Sequence, residues 1–272
     1  MRIFILFFLA LLAFGNEKIE LVKGQALLLE LDKKDLLEVK SKGKKLVFFT
    51  DPKNKDKVIA LFALPYKNPP KTSQITAIYK NKNQNFIIYA LEGNYTSEKL
   101  QVEPKKLFPP KSVQDRIERE LKEANAVYSS ITKELLVNEN FKIPLDSFIT
   151  SAFGKARVFN EQVASYHSGT DFRAPTGTII KAANSGIVRI AKDRYYAGNS
   201  VVIDHGYGIY SQYYHLSEIK VKVGQRVKRG DIVGLSGATG RVSGPHLHFG
   251  IFAGGKQVDP LDFVAKFNQF FQ

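Results

Sequence analysis

All five histidines of this chain fall between His167 and His248, and the 166 residues before that stretch contain none. In an extended strand residues i and i+2 face the same side. His246 and His248, in Gly244-Pro-His-Leu-His-Phe249, therefore share a face, and Leu247, Phe249 and Ile251 are expected to face a core. Upstream, His167-Ser-Gly-Thr-Asp171 places an imidazole and a carboxylate on either side of a flexible link that can bring both to one point. Two histidines and a carboxylate leave the fourth tetrahedral position of Zn²⁺ open, as a hydrolytic site needs. That leaves His215, in Tyr213-Tyr-His-Leu216, and one of the His246/His248 pair as candidate bases or oxyanion donors. An HxH or an HxxxD motif alone is a weak signal, but together they supply the count that metal-assisted hydrolysis requires. His205, in the turn Asp204-His-Gly-Tyr-Gly208, reads as structural. Period two puts Tyr213 on the face of His215, where it can meet substrate.

The elements that must position these groups are mostly strands. Residues 141–262 alternate glycine turns with short runs at Thr178–Ala182, Gly186–Ala191, Ser200–Asp204, Ile209–His215, Val221–Val223, Ile232–Leu235 and His246–Ile251, which predicts an all-β domain. A tail, residues 263–272, is expected to close the chain, the apolar stretch from Leu261 to Phe271 making a turn or two of helix. Before it, residues 16–105 hold seven or so β-branched and aromatic runs between Ala26 and Val102, the pattern of a small β-sandwich or barrel. Residues 106–140 form the connection. There, Ser112 and Asp115 resemble a capping box, and Val113, Ile117, Leu121, Ala124, Tyr128, Ile131 and Leu135 mark one stripe of an amphipathic helix of about seven turns. The expected class is mainly β: an N-terminal β domain, a connecting helix and a C-terminal all-β domain. Glu92-Gly-Asn94-Tyr-Thr96 contains an Asn-x-Thr acceptor, though an ordinary turn accounts for it as well.

A net charge of +14 would suit nucleic acid, but the first residues argue against that partner. Met1-Arg2, an apolar run from Ile3 to Phe14, and Ala13-Phe-Gly15 before polar residues read as a secretory signal over residues 1–15. The run is too short to span a bilayer, which takes roughly 20 residues. A mature chain outside the cytoplasm, with no membrane span, meets no genomic DNA. Its charge is spread evenly and suits an acidic polymer such as a cell wall. Without a cysteine there are no disulfides, so stability rests on packing and on a metal.

The segments His167-Ser-Gly-Thr-Asp171, Val202-Ile-Asp-His-Gly-Tyr-Gly208, Tyr214-His-Leu216, Gly237-Ala-Thr-Gly240, Ser243-Gly-Pro-His-Leu-His-Phe249 and Val258-Asp-Pro260 together resemble the catalytic domain of lysostaphin/LytM-type zinc metallopeptidases. The likeness covers about 110 residues in order and leaves residues 16–140 untouched. It implies one Zn²⁺ per chain held by His167, Asp171 and His248, with His215 and His246 as the catalytic pair. It also implies a periplasmic D,D-endopeptidase, with carboxypeptidase action as a variant, acting on peptidoglycan peptides in wall remodelling. Tyr166 stands where many relatives carry a second histidine. The alternative is a non-catalytic wall-binding or amidase-activating module of the same fold, which would typically have lost ligands. Val221 to Leu235 also resembles a hairpin of lipoyl- and biotinyl-carrier barrels, but the lysine tip such carriers need is missing. The apolar stripe leading into the catalytic stretch suggests that residues 16–140 hold the site latent.

Overall fold

The computed structural model describes residues 17–100, 109–159 and 162–271. The expected signal lies outside them. Among the described residues no helix is long and apolar enough to cross a membrane.

Residues 17–91 form two sheets. One has five strands, in the order Glu17–Val22, Asn83–Leu91, Thr72–Tyr79, Leu36–Ser41 and Lys44–Lys45; the other has three, Ala26–Asp32, Lys57–Ala63 and Phe48–Thr50. The middle strand of the second sheet, Lys57–Ala63, is an unbroken apolar run after its first residue, as expected of a strand covered on both faces. Alternation sends Val58, Ala60 and Phe62 into a core shared with Leu29, Val39, Ile75 and Phe86. Ile59, Leu61 and Ala63 point the other way, into a second core with Phe172, Phe249, Phe263 and Phe267. The N-terminal sandwich and the histidine-bearing region therefore bury one continuous apolar body between them. Each fully buried Ile or Leu there is worth about 1.5–3 kcal/mol of transfer free energy.

The connecting helix spans Lys111–Ser129, about five turns instead of the seven expected. Pro110 is its N-cap, with no side-chain cap bond, and Ser112 lies inside the helix, so the capping box does not form. The helix stops at Ser130, which turns extended, and its Oγ donates to the Val127 carbonyl. Beyond that point the backbone is claimed by the sheet: Thr132 Oγ1 donates to Asp204 at 2.6 Å, and Tyr207 N and Leu136 N bond the carbonyls of Thr132 and His205. Gly206 makes room for this strap, since a Cβ there would lie 1.7 Å from the Glu134 carbonyl oxygen. Ile131 and Leu135 thus leave the stripe, and Leu121 is 59% exposed. Ala124, Val127 and Tyr128 do the packing, against Ile190, Val202, Tyr210 and Phe252.

The histidine-bearing region is a ten-stranded sheet. Its path runs Ile149–Ser151, Thr170–Arg173, His246–Ala253, Tyr210–Ile219, Gly198–Asp204, Gly186–Arg194 and Arg226–Val227. Val221–Val223 is not a strand: the chain turns at Gly224, whose N–H bonds the Val188 carbonyl, and Arg226–Val227 pairs in its place. The chain closes with helix Pro260–Asn268, capped by Asp259 and seated in the shared core by Phe263 and Phe267. Asn94 is exposed in the irregular segment after Leu91.

Candidate metal centre and flanking histidines

Strand register assembles the centre. Thr170–Arg173 runs antiparallel to His246–Ala253, with Asp171 directly opposite His248 and Arg173 opposite His246. Directly opposed residues share a face, so the carboxylate meets the second histidine of the HxH pair while Leu247, Phe249 and Ile251 are fully buried in the core behind. Gly169 lets the rings close up, because a Cβ there would sit 2.6 Å from His248 Nε2.

His167 Nε2 lies 2.9 Å from Asp171 Oδ1, and His248 Nδ1 lies 2.8 Å from the same oxygen. The three side chains are buried and offer ligand atoms all within 4.8 Å of one another. His167 Nδ1 faces the Ala152 carbonyl at 2.9 Å. A carbonyl only accepts, so in the neutral ring Nδ1 keeps the proton and Nε2 presents its lone pair, as ligating imidazoles are usually held. Burial pushes the Asp171 carboxyl up, but the nitrogens of His167 and His248 at its Oδ1, which donate and carry charge whenever those rings hold a second proton, outweigh burial and keep the group ionised, far below the ordinary range. Two imidazole nitrogens and one carboxylate oxygen converging in a buried space are the donor set of a divalent transition metal.

His215 and His246 flank this set, their ring centroids 4.9 Å apart, and His246 Nε2 is 3.7 Å from Asp171 Oδ1. Their Nδ1 atoms face the carbonyls of Thr239 at 2.9 Å and Gly244 at 2.8 Å. By the same argument each neutral ring keeps a lone pair on Nε2. Burial, then the neighbouring His248 and His246, pushes His215 down to about 3, so it is unprotonated in neutral solution.

Period two fails at His215, and the expectation for Tyr213 fails with it. Opposite Ser200 the Tyr210–Ile219 strand carries one residue too many, and His215 takes φ +64 with its N–H on the Ala197 carbonyl. Such a bulge re-aims side chains. Tyr213 stays in the core, fully buried, its hydroxyl accepting from Ala183 N. Tyr214 and His215 both turn to the metal side, and Tyr214 stacks on His248 at 5.2 Å and 9°. His205 is structural as expected: Nδ1 meets the Ser185 carbonyl and Nε2 the Ser211 hydroxyl, each at 2.7 Å, and burial pushes it down to about 4. Tyr166 packs edge-on against Tyr66. The sequence reading missed Thr239 as the orienter of His215. Its place in a Gly-Ala-Thr-Gly turn two dozen residues beyond that histidine was the available signal.

The model of Peptidase family M23 matches residues 165–260. A solved M23 peptidase structure from Pseudomonas aeruginosa is 30% identical over 89% of this chain and 94% of its own length, with a TM-score of 0.68. The chain belongs to peptidase family M23. The chain is also 44% identical over 124 residues to the peptidoglycan DD-endopeptidase ShyA of Vibrio cholerae, covering 44% of this chain and 29% of that one. A DD-carboxypeptidase/endopeptidase, Mpg of Neisseria meningitidis, is 37% identical over 95 residues, 35% of this chain and 22% of the relative. The chain thus spans less than a third of the length of these curated relatives.

Proposed function

We propose that this M23 chain is a zinc-dependent peptidoglycan hydrolase that cuts stem-peptide or cross-link bonds outside the cytoplasm, as a D,D-endopeptidase with carboxypeptidase action on the same peptides. The observation that carries the reading is the buried convergence of His167, Asp171 and His248 beside two histidines with free lone pairs. His167 Nε2, Asp171 Oδ1 and His248 Nδ1 would hold one Zn²⁺. When bound, the ion polarises the scissile carbonyl and acidifies water.

The remaining work falls to the chain's own groups. His215 and His246 accept a proton at Nε2 from the attacking water, or donate from that atom to the tetrahedral oxygen and the leaving amine. The carbonyls of Thr239 and Gly244 keep both rings in the tautomer this requires. The names of ShyA and Mpg support the substrate class, and the leader-like residues 1–15 support a periplasmic address. The complete ligand set favours an enzyme over a non-catalytic wall-binding or amidase-activating module. Residues 16–140 restrain the site in this reading. The strand Ser97–Leu100 pairs in parallel with Ala156–Phe159, in the hairpin that leads into His167, and Tyr66 Oη donates to the Gly154 carbonyl beside it. A Tyr66→Ala chain should then turn over sacculi faster, and equal or slower turnover would remove restraint from the reading.

Purified full-length protein loaded with zinc should release shorter muropeptides from sacculi and stop when a chelator is added. Sacculi left unchanged by the loaded protein would overturn the assignment.

A further inference from the structure

His248 has a second row partner besides Asp171. Tyr214 lies directly opposite it on the neighbouring strand, so Asp171, His248 and Tyr214 stand side by side across three strands on one face. The phenol and imidazole planes are within 9° of parallel. The guanidinium of Arg194 lies over the same phenol ring, 4.8 Å from its centroid. Arg194 is only 8% exposed; its Nε donates to Ser200 Oγ and its Nη2 is buried without a hydrogen-bond partner among the described residues. A buried cation is costly, and the ring contact offsets part of that cost, beside the charge of Glu120. The connecting helix closes the assembly: Gln212 Nε2 donates to Tyr128 Oη, which faces Tyr214 Oη at 3.3 Å.

We infer that Tyr214 is a positioning residue for His248, clamped by Arg194 and braced by Tyr128, so that the connecting helix sets the orientation of a metal-ligating ring. His248 needs such help. Its Nδ1 points to Asp171, and its Nε2 has no hydrogen-bond partner among the described residues, so the polar contact that usually fixes a ligating imidazole is replaced by a stack. The inference rests on the reading of His248 as a metal ligand.

The test is a cobalt titration of the full chain, followed by the visible absorption of the bound ion and by competition with a chromophoric chelator. Tyr214→Phe keeps the ring beneath Arg194 but loses the hydroxyl contact to Tyr128, and should fall between wild type and Tyr214→Leu in spectrum and affinity. Tyr214→Leu keeps bulk without a ring and should shift the spectrum and weaken binding roughly tenfold. Arg194→Met gives an independent sign. On charge alone, removing a nearby cation favours a divalent ion, whereas loss of the clamp weakens binding; the expected result is weaker. Tyr214→Leu with the wild-type spectrum and affinity overturns the inference, as does tighter or unchanged binding by a folded Arg194→Met chain. Wild type that takes up no cobalt overturns the metal reading itself, and this inference with it.

Discussion

His167 Nε2 and His248 Nδ1 lie 3.0 Å apart, brought together from positions 81 residues distant in sequence, and both face one oxygen of Asp171. Lone pairs on three such atoms repel unless a cation or a proton sits among them. Asp171→Asn, which removes the charge and keeps the shape, should therefore lose stoichiometric zinc at micromolar free metal, as should His167→Ala. Metal analysis per chain checks this. Because an ion bound only by the folded state stabilises it, chelator should lower the Tm of wild type and leave that of Asp171→Asn unmoved.

His215 and His246 make a different prediction. Neither belongs to the convergent set, so His215→Ala and His246→Ala should keep zinc while hydrolysis of defined muropeptides falls by about 10²–10⁴. Loss of metal in either variant would move that histidine from proton transfer to ligation.

Acid should destabilise the fold partly through His205, which hydrogen-bonds Ser185 and Ser211 and is no member of the convergent set. Its folded value of about 4 lies below the ordinary 6.5, so the unfolded chain takes up the proton first. The stability tied to the neutral ring is complete above pH 6.5 and is lost as pH falls toward 4, by about 3 kcal/mol in all. Denaturant midpoints across that window should fall for wild type and flatten for His205→Gln.

Leu61 faces the core that holds Phe172, the neighbour of Asp171, although it belongs to the N-terminal sandwich. Leu61→Ala should cost about 2–5 kcal/mol and lower a single melting transition that both sheets share. Two separate transitions, with only the earlier one moved, would show the sheets to be independent.

Much of the centre was legible in the sequence because its residue types are scarce and its spacing is local. His246 and His248 sit two apart in a strand, and His167 and Asp171 four apart across a glycine. The all-β character followed from runs such as Lys57–Ala63. What sequence could not show depended on distant partners. The bulge at His215 is set by the Ala197 carbonyl and by the register of the neighbouring strand, so strict alternation assigned Tyr213 the place that Tyr214 holds. The helix ends at Ser130, short of its apolar stripe, because Asp204 and the backbone around His205 and Tyr207 recruit the next residues. Those partners lie some seventy residues ahead.

The Lys57–Ala63 strand answers to two cores at once, and this bears on how the chain finds its pairing. Slipping a strand by one residue exchanges its two faces. For a strand with one wet side the error exposes the apolar set to water and buries the polar one. Here it would turn Val58, Ala60 and Phe62 against partners shaped for Ile59, Leu61 and Ala63, and the reverse, with no solvent on either side to absorb the mismatch. Misregistered intermediates are thus penalised twice, and the strand works as a gauge against which both halves of the protein are aligned.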